Sequence, residues 1–388
     1  MFELAVGLTE RKHDVTVVTT FPGYNIAEGA ALPKTHFASI IKESGVKVIR
    51  VWTLPFHNVG PIARGIGQLA LTLSITGGGL LAGAIDAILV YSPPLTIGVA
   101  ALFLSRIKRA PYVLNVQDLF PQNAIDLGVL KGRLPIRFFE AMESWVYKHA
   151  ALITVHSEAN ARHIRAKACA SRRIEVVHNW VDLAEYPIGI NGYTFRSKYG
   201  LDGAFVVLFA GVMGHAQDLD TVIEAAKILQ LEERIAFLLV GDGVEKARLV
   251  RRVDELGLRN VRFLPFVSKE KYPELVAAAD VGLVTLKKSM KTPVVPSKIL
   301  GYMAAGRPCV ASLNHESDAN AIVKNAGCGI TVPAGDPELL ADAIRRLFQS
   351  QESLREMGHR GRQYAEVHFP KCVALDRYEQ LLKSCLIQ

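Results

Sequence analysis

The stretch TPVVPSKILGYMAAGRPCVAS, residues 292–312, decides the fold. Its prolines and small residues predict a turn-rich loop, and Ile299, Leu300 and Met303 follow at the spacing of a helix face. A Gly-Arg-Pro sequence ends this helix, and Cys-Val-Ala then resumes as a buried strand. A loop that leads into a helix and on to a strand is the repeating unit of a parallel α/β sheet.

Lys298 stands where this loop enters the helix. The first N–H groups of a helix lack intrahelical partners and the helix dipole is positive there, so a lysine at this position opposes helix stability. A loop that ends on a helix N-terminus is also where α/β proteins bind anions. A nucleotide diphosphate docked beside Lys298 would explain the residue.

Size and charge bound the function classes. The chain has 388 residues, 50% of them apolar, which is enough for two domains with proper cores. Its net charge of +8 suits anionic partners such as nucleotide phosphates or an anionic membrane face. Nucleic acid is disfavoured because no basic helix is interleaved with aromatic residues. No HExxH, GxSxG or P-loop sequence occurs, which argues against hydrolytic and phosphotransfer chemistry.

The cysteines indicate neither structural zinc nor a disulfide framework. They are scattered, no CxxC pair occurs, and a reducing cytosol fits. No DxD-like metal pair occurs in a suitable place either, so we expect no metal. The five cysteines are Cys169, Cys309, Cys328, Cys372 and Cys385.

Short β-branched runs alternate with helical periodicity along the chain. This alternation predicts an α/β fold whose parallel sheets are covered on both faces. The first predicted series of strands is Val15–Thr19, Val46–Val51, Ala87–Tyr91, Tyr112–Val116, Leu152–Val155 and Ile174–Val177. The second series is Phe205–Ala210, Ala236–Val240, Val261–Leu264, Val281–Val284, Cys309–Ala311 and Gly329–Val332.

A polar, turn-rich stretch separates the two series. It contains Pro187, Gly189 and Gly192, and we place the domain boundary near residue 186. Two α/β halves of similar length predict a cleft between them, with ligands at the carboxyl ends of the strands.

The chain begins with helical spacing rather than with a strand, since Phe2, Leu4, Ala5 and Leu8 share one face. A doubly wound domain normally opens with a strand and a loop before its first helix. We therefore expect that the first strand of the N-terminal domain is missing from this sequence.

The most apolar window is Ile66–Ala84, which has about the length of a bilayer span. Polar residues and three consecutive glycines within it disfavour a spanning helix. A buried helix of the fold and a helix lying on a membrane surface remain open. Arg64, Arg106, Lys108 and Arg109 favour the surface alternative, because basic residues attract anionic headgroups.

Glycine turns follow the first two strands of the second half. Gly211 and Gly214, with His215, come after the first strand, and Gly241 closes the next. Glycines let a backbone approach a ligand, although each turn alone is also ordinary turn chemistry. Together with the turn before Lys298, they place three loop-to-helix junctions on one sheet edge, which predicts a nucleotide pocket.

Two carboxylates are further candidates. Asp118 follows the strand Tyr112–Val116 and could position a sugar hydroxyl or accept a proton. Capping of the turn before Pro121 is the alternative for Asp118. Glu316 follows the strand that ends at Ala311 and could reach the nucleotide pocket.

Eight segments, taken in chain order, resemble one known family. The family is that of the retaining glycosyltransferases of family 4, and within it the branch of O-antigen and colanic acid biosynthesis enzymes, including L-fucosamine transferase-like proteins. The segments are FELAVGLTERKHDVTVVTTFP, VLNVQDLFPQNAIDLGVL, HNWVDL, LFAGVMGHAQDLDTVIEAAKIL, FLLVGDGVEK, VRFLPFVSKEKYPELVAAADVGLVTL, VPSKILGYMAAGRPCVAS and CGITVPAGDPELLADAI.

The resemblance implies the GT-B fold, in which two Rossmann-like parallel-sheet domains face a cleft. Residues 1–185 would bind the acceptor and residues 186–368 the nucleotide sugar. Residues 369–388 would form a C-terminal helix that crosses back to the N-terminal domain.

The resemblance also implies site residues by position. Gly211 and Gly214 would approach the donor phosphates, and Asp118 would be catalytic. The Phe266 and Val267 backbone would meet the nucleobase. The predicted donor-binding set is Gly211, Gly214, His215, Gln217, Gly241, Phe266, Val267, Ser297, Lys298 and Glu316.

One departure from the family pattern concerns charge. Many relatives place an arginine and a lysine in the loop after the first donor-domain strand, where this chain has Val212 and Gln217. Our hypothesis is that Lys298 replaces this positive clamp.

The expected function is transfer of a sugar, for example an N-acetylated deoxyhexosamine, from a nucleoside-diphosphate sugar. We expect a UDP-linked donor, retention at the anomeric carbon, no cofactor or metal, and an undecaprenyl-diphosphate-linked saccharide as acceptor. The enzyme would be cytoplasmic and peripheral at the inner face of the cell membrane. The alternatives are a GT-B sugar-nucleotide epimerase and a truncated, non-catalytic binding subunit.

Overall fold

The computed structural model describes residues 1–21, 37–54, 61–167 and 173–386. Cys169 and the side chain of Arg64 lie outside the described residues. The chain divides into two compact units. The first unit comprises residues 1–122, 130–177 and 375–388, and the second unit comprises residues 123–129 and 178–374. The domain bounds given above stay a prediction.

The described residues of the first unit form two sheets. One has the order β1-β3-β2 and the other the order β4-β5-β6-β7, and all neighbours are parallel except β2 and β3. The strands are β1 Thr16–Thr20, β2 Ala38–Glu43, β3 Val46–Val51, β4 Ile88–Ser92, β5 Tyr112–Val116, β6 Leu152–Val155 and β7 Ile174–Val176. The helices are α1 Phe2–Glu10, α2 Pro61–Leu80, α3 Leu95–Lys108, α5 Arg133–His149 and α6 Glu158–Ala166. Between α3 and α5 lies α4, Gln122–Asp126, which belongs to the second unit from residue 123 on.

The most apolar window of the sequence forms α2. Its Ile75 packs in one cluster with Ile49 and Val51 of β3, while Gly78 approaches the side chains of that sheet. Among the described residues, no helix has the length and hydrophobicity needed to cross a bilayer.

A six-stranded parallel sheet forms the second unit. Its order is β10-β9-β8-β11-β12-β13. The strands are β8 Phe205–Ala210, β9 Ile235–Val240, β10 Val261–Leu264, β11 Val281–Thr285, β12 Cys309–Leu313 and β13 Gly329–Pro333. The helices are α7 Tyr193–Lys198, α8 Leu219–Ile228, α9 Lys246–Glu255, α10 Tyr272–Ala277, α11 Lys298–Ala304, α12 Ala319–Ala326, α13 Pro337–Gln349, α14 Gln351–His368 and α15 Lys371–Leu386, which ends in the first unit.

The central strand β8 shows that this sheet is buried on both faces. Its alternate residues Val206 and Leu208 pack with Ile299 of α11, whereas Val207 and Phe209 pack in a cluster on the opposite face. Because side chains alternate across a strand, continuous apolar runs such as this one are what a doubly covered parallel sheet requires.

Tyr302 fixes α11 against the sheet. Its hydroxyl donates to the carbonyl oxygens of Leu208 and Leu283, 3.1 and 3.3 Å away. A side chain at Gly282 would meet the Tyr302 ring at 2.4 Å, so the ring fills the space that this glycine leaves. The start of α11, where Lys298 lies, is thereby held at the carboxyl edge of the sheet.

Candidate functional site

The strand order of the second unit reverses between β8 and β11. In an open parallel sheet, the loops on either side of such a reversal leave in opposite directions and open a crevice at the carboxyl ends of the strands. The loop after β8 begins at Gly211, and the segment after β11 leads to Ser297 and Lys298. The sheet topology thus brings these two predicted regions to one switch point.

Gly211 and Lys298 are direct neighbours at this point. A Cβ atom on Gly211 would lie 2.8 Å from Cε and 3.2 Å from Nζ of Lys298, and Gly211 has φ +146°, a conformation that favours glycine. Nζ of Lys298 lies 4.7 Å from the centre of the Phe209 ring. The absent side chain of Gly211 makes room for the lysine beneath the loop.

The ammonium of Lys298 is poorly solvated. Burial lowers its pKa from the ordinary 10.5 to about 8. Within the described part of the chain, no hydrogen-bond acceptor or carboxylate reaches it, and its partner there is the face of the Phe209 ring. Lys298 is half-buried, and a partly desolvated cation without an anionic partner is costly, so this arrangement suits an anion that arrives with a ligand.

The glycine turns after β8 and β9 are in contact with each other. A Cβ atom on Gly241 would lie 1.9 Å from the carbonyl oxygen of Gly211. The Met213 N–H donates to the carbonyl oxygen of Asp242 at 2.8 Å, and the Glu245 N–H donates to that of Met213 at 3.1 Å. The glycine at 241 is therefore needed for close packing of two loops, a reason that holds whether or not it contacts a ligand.

Gln217 stabilises the loop after β8 from within. Its side-chain oxygen accepts a hydrogen bond from the Gly214 N–H at 3.1 Å. The backbone carbonyl oxygen of Gln217 also accepts a hydrogen bond from Thr285 Oγ1 at the end of β11. The residue thus ties the β8 loop to β11; its predicted contact with the donor stays a prediction.

His215 contacts a carboxylate that the sequence analysis missed. Its Nδ1 lies 2.8 Å from Glu245 Oε1, and Glu245 in turn accepts from Arg248 Nε at 2.8 Å. The signal was available, because Glu245 follows directly after the second glycine turn, where α9 begins. The pair joins the loops after β8 and β9.

The remaining predicted donor residues follow the neighbouring strands. Phe266 is exposed after β10, and Val267 packs against the core. Ser297 and Glu316 are exposed. Ser317, next to Glu316, donates from Oγ to the carbonyl oxygen of Val294, which links the segment after β12 to the loop that carries Ser297.

Asp126 holds the same loop, which we call the linking loop (residues 286–297). One carboxylate oxygen, Oδ2, accepts from the backbone N–H groups of Lys291 and Thr292 at 2.8 and 2.9 Å. Asp126 belongs to the second unit although it lies at the end of α4. A single sequence carries no signal for this contact, since 165 positions separate its partners.

Asp118 lies in the first unit, just after β5. Its side chain keeps access to solvent, yet the surrounding protein raises the pKa of its carboxyl group by removing part of its solvation. Tyr91, at the carboxyl end of β4, has a raised pKa because of burial and then of the Asp118 charge. Tyr91 lies opposite Asn115 of β5, three residues before Asp118, and a carboxyl with a raised pKa suits proton transfer.

The described residues offer no cluster of three or more His, Cys, Asp or Glu side chains that could hold a metal ion. The expectation of a metal-free site stays a prediction.

Comparison with known proteins gives both halves of the chain a family. The family described as "Glycosyl transferase 4-like domain" matches residues 1–180, and the family described as "Glycosyl transferases group 1" matches residues 194–364. Both halves of this chain are glycosyltransferase domains. The group 1 domain contains the whole six-stranded sheet and the loops at its carboxyl edge.

Two relatives of this chain are described as glycosyltransferases. WbjE of Pseudomonas aeruginosa, described as a glycosyltransferase, is 26% identical over 71% of this chain and 68% of its own length. WcaI of Escherichia coli K12, described as a colanic acid biosynthesis glycosyl transferase, is 26% identical over 67% of this chain and 66% of its own. The alignments span about two thirds of these relatives.

Solved structures confirm the predicted fold. Sucrose-phosphate synthase from Thermosynechococcus elongatus has a TM-score of 0.79 at 18% identity, covering 98% of this chain and 91% of that one. Anabaena Alr3699/HepE, solved with UDP and glucose, has a TM-score of 0.71 at 20% identity, covering 88% and 87%. The fold of this glycosyltransferase is thus GT-B, with two Rossmann-like parallel-sheet domains.

Proposed function

We propose that this glycosyltransferase moves a sugar from a nucleoside-diphosphate donor to a lipid-linked saccharide, with retention at the anomeric carbon, in surface polysaccharide biosynthesis. One observation carries the proposal. Lys298 is half-buried at the switch point of the second unit, next to the glycine loop after β8, and no anionic side chain in the described residues pairs with its ammonium. A donor diphosphate supplies the missing negative charge.

The chemistry requires that the leaving group be stabilised. The bond between the anomeric carbon and the diphosphate oxygen breaks, and its electron pair leaves with the nucleoside diphosphate. The acceptor hydroxyl oxygen forms the new bond to the anomeric carbon, and its proton passes to the departing phosphate or to Asp118. Lys298 and the backbone N–H groups of the β8 loop would stabilise the charge on the diphosphate, and electrostatic stabilisation of this kind usually contributes most to the rate enhancement of an enzyme.

The donor nucleotide, the acceptor, the sugar and the location of the reaction are further parts of this proposal. HepE was solved with UDP, which supports a UDP-linked donor, and WcaI is described as a colanic acid biosynthesis enzyme, which supports a role in polysaccharide biosynthesis. The proposed acceptor is an undecaprenyl-diphosphate-linked saccharide. An N-acetylated deoxyhexosamine is the proposed sugar. We place the reaction on the cytoplasmic face of the cell membrane, where peripheral contact reaches such an acceptor.

The test is a screen of nucleotide sugars. Purified protein is melted with UDP-, GDP- and dTDP-sugars, and the donor that raises Tm is then offered with a lipid-linked saccharide while transfer is followed by mass spectrometry. We expect Lys298→Met to abolish both the shift and the transfer, whereas the exposed Lys324→Met in α12 retains them. The proposal fails if no nucleotide stabilises the protein, as for a non-catalytic subunit, or if the donor is epimerised without an acceptor.

A further inference from the structure

The helix α2 presents leucines to solvent as well as to the protein, where Leu71 is buried. Leu69 and Leu73 are 64% and 74% exposed, whereas Thr72 and Ser74 are buried. Thr72 Oγ1 donates to the carbonyl oxygens of Gln68 and Thr96, at 2.9 and 3.2 Å. The outer side of a helix on the surface of a globular protein normally carries charged and polar residues, so the exposed leucines of α2 suit an apolar contact.

The helices α3 and α5 extend this apolar surface. Val146 of α5 packs where Gly98 of α3 lacks a side chain. The exposed Phe103 of α3 and Trp145 of α5 meet edge to face, with ring centres 6.4 Å apart. Phe138, two turns before Trp145 on α5, is 59% exposed.

The three helices lie side by side in one layer. Lys108, in the last turn of α3, donates from Nζ to two carbonyl oxygens, that of Leu80 at the end of α2 (3.0 Å) and that of Gly83 just beyond it (2.7 Å). Leu104 fills the space beside Gly79 of α2. We call the exposed side of this layer the helical face; its large apolar residues are Ile66, Leu69, Leu73, Phe103, Phe138 and Trp145.

Basic residues accompany the helical face. The helices α3 and α5 carry Arg106, Lys108, Arg133, Arg137 and Lys148. Their acidic residues are Glu140 and Glu143, and Glu143 is buried in an ion pair with Lys167 at 3.0 Å. Apolar residues together with surrounding positive charge match a bilayer that exposes anionic headgroups.

We infer that the helical face docks the first unit onto an anionic lipid bilayer. The exposed leucines and aromatic rings would enter the interface between headgroups and acyl chains, and the basic residues would contact lipid phosphates. A second copy of this chain is a poorer occupant, because two such faces would bring like charges together. The inference deepens the proposed function, since a lipid-linked acceptor resides in a membrane.

The test measures binding of the whole protein to vesicles without donor or acceptor, so its result is independent of the transfer assay. Phosphatidylcholine vesicles are compared with vesicles that also contain phosphatidylglycerol. We expect sedimentation with the anionic vesicles only, weakened by salt. The double substitution Leu69→Glu with Leu73→Glu should lower the partition coefficient by about tenfold or more.

Two further variants keep the test decisive. Phe138→Glu on α5 should also weaken binding, and this substitution leaves the sequence of α2 unchanged. Leu231→Glu, at a position 88% exposed in the second unit, should bind as the parent does. The inference is overturned if the parent protein does not bind anionic vesicles, or if the helical-face variants bind them as well as the parent does. It is also overturned if light scattering shows a dimer that these substitutions dissociate.

Discussion

The ammonium of Lys298 lies 4.7 Å from the centre of the Phe209 ring, where burial lowers its pKa from 10.5 to about 8. The ring face attracts the cation but does not replace a counter-ion, since such contacts contribute about 0.5–2 kcal/mol. The free protein therefore keeps a destabilising charge at the position where the donor diphosphate is proposed to bind. Removing the Lys298 charge should therefore raise the stability of the free protein and weaken its binding of the donor.

Lys298→Met should stabilise the free protein. The lowered pKa means that the unfolded chain binds the Lys298 proton more tightly than the folded protein does. Below pH 8 the desolvated charge therefore lowers the free energy of unfolding, by at most about 3 kcal/mol. Between pH 8 and 10.5 the unfolded chain carries more protons than the folded one, and stability from this group rises with pH. Urea unfolding should therefore show a higher free energy of unfolding for Lys298→Met than for the parent at pH 7, and a smaller difference at pH 10. Lys324→Met should unfold with the same free energy as the parent. If both substitutions lowered the free energy of unfolding equally, the predicted cost of the Lys298 charge would be contradicted.

Donor affinity should depend on pH through the same group. A bound diphosphate raises the pKa of the ammonium, so binding takes up a proton once the free protein has lost it. Calorimetry should show constant affinity below about pH 8 and a fall of up to tenfold per pH unit above it. In Lys298→Met, affinity should be weaker by about tenfold or more and this slope should vanish. If affinity still fell with pH above about pH 8 in the variant, a titrating group other than Lys298 would be responsible for the pH dependence.

Gly211→Ala should weaken donor binding by displacing Lys298. The new methyl group would lie 2.8 Å from Lys298 Cε, and the backbone has φ +146°. Gly257→Ala is the matched control, because φ is +62° there and a methyl group would meet nothing within 4 Å. Both substitutions should cost about 1 kcal/mol or more of stability from backbone strain, but only Gly211→Ala should raise the Kd for the nucleotide. Equal Kd values in the two variants would refute the role of Gly211.

Asp126→Ala should raise the donor KM with little change in kcat. Asp126 holds the linking loop through two backbone N–H groups, and that loop leads to Ser297 and Lys298. Each charge-assisted bond contributes about 1.5–3 kcal/mol, so we expect KM to rise about tenfold. Asp126→Asn keeps an acceptor oxygen and should recover much of the loss. Asp342→Ala, which breaks an exposed ion pair with Arg345 in α13, is the control and should leave KM unchanged.

The strands of the sheets could be predicted from the sequence because their signal is local. Continuous apolar runs such as Phe205–Ala210 mark parallel strands buried on both faces. The strand β2 was missed, although Ser44 and Gly45, with φ of +47° and +83°, form the two-residue hairpin turn that joins it to β3. The Ser-Gly turn was the available signal.

The candidate site was predicted in part. Lys298 was identified because its position conflicts with helix stability, and the glycine turns because they follow strands. The interactions that hold them could not be predicted: Asp126 on the linking loop, and the contact between Gly241 and the Gly211 carbonyl. These contacts join residues distant in the chain, and their partners follow only from the folded arrangement. The helical spacing of Phe138, Ala141, Met142, Trp145 and Val146 predicts one apolar side of a helix from Arg133 to Ala150. The helix is present, but the structure exposes Phe138 and Trp145.

The most direct measurement is a crystal structure of this protein with bound UDP. Our account predicts a diphosphate at the switch point of the second unit, with a phosphate oxygen about 3 Å from Lys298 Nζ and the uracil near Phe266 and Val267. A nucleotide bound away from the carboxyl ends of β8 and β11, or a diphosphate that leaves Lys298 against the Phe209 ring without contact, would contradict it.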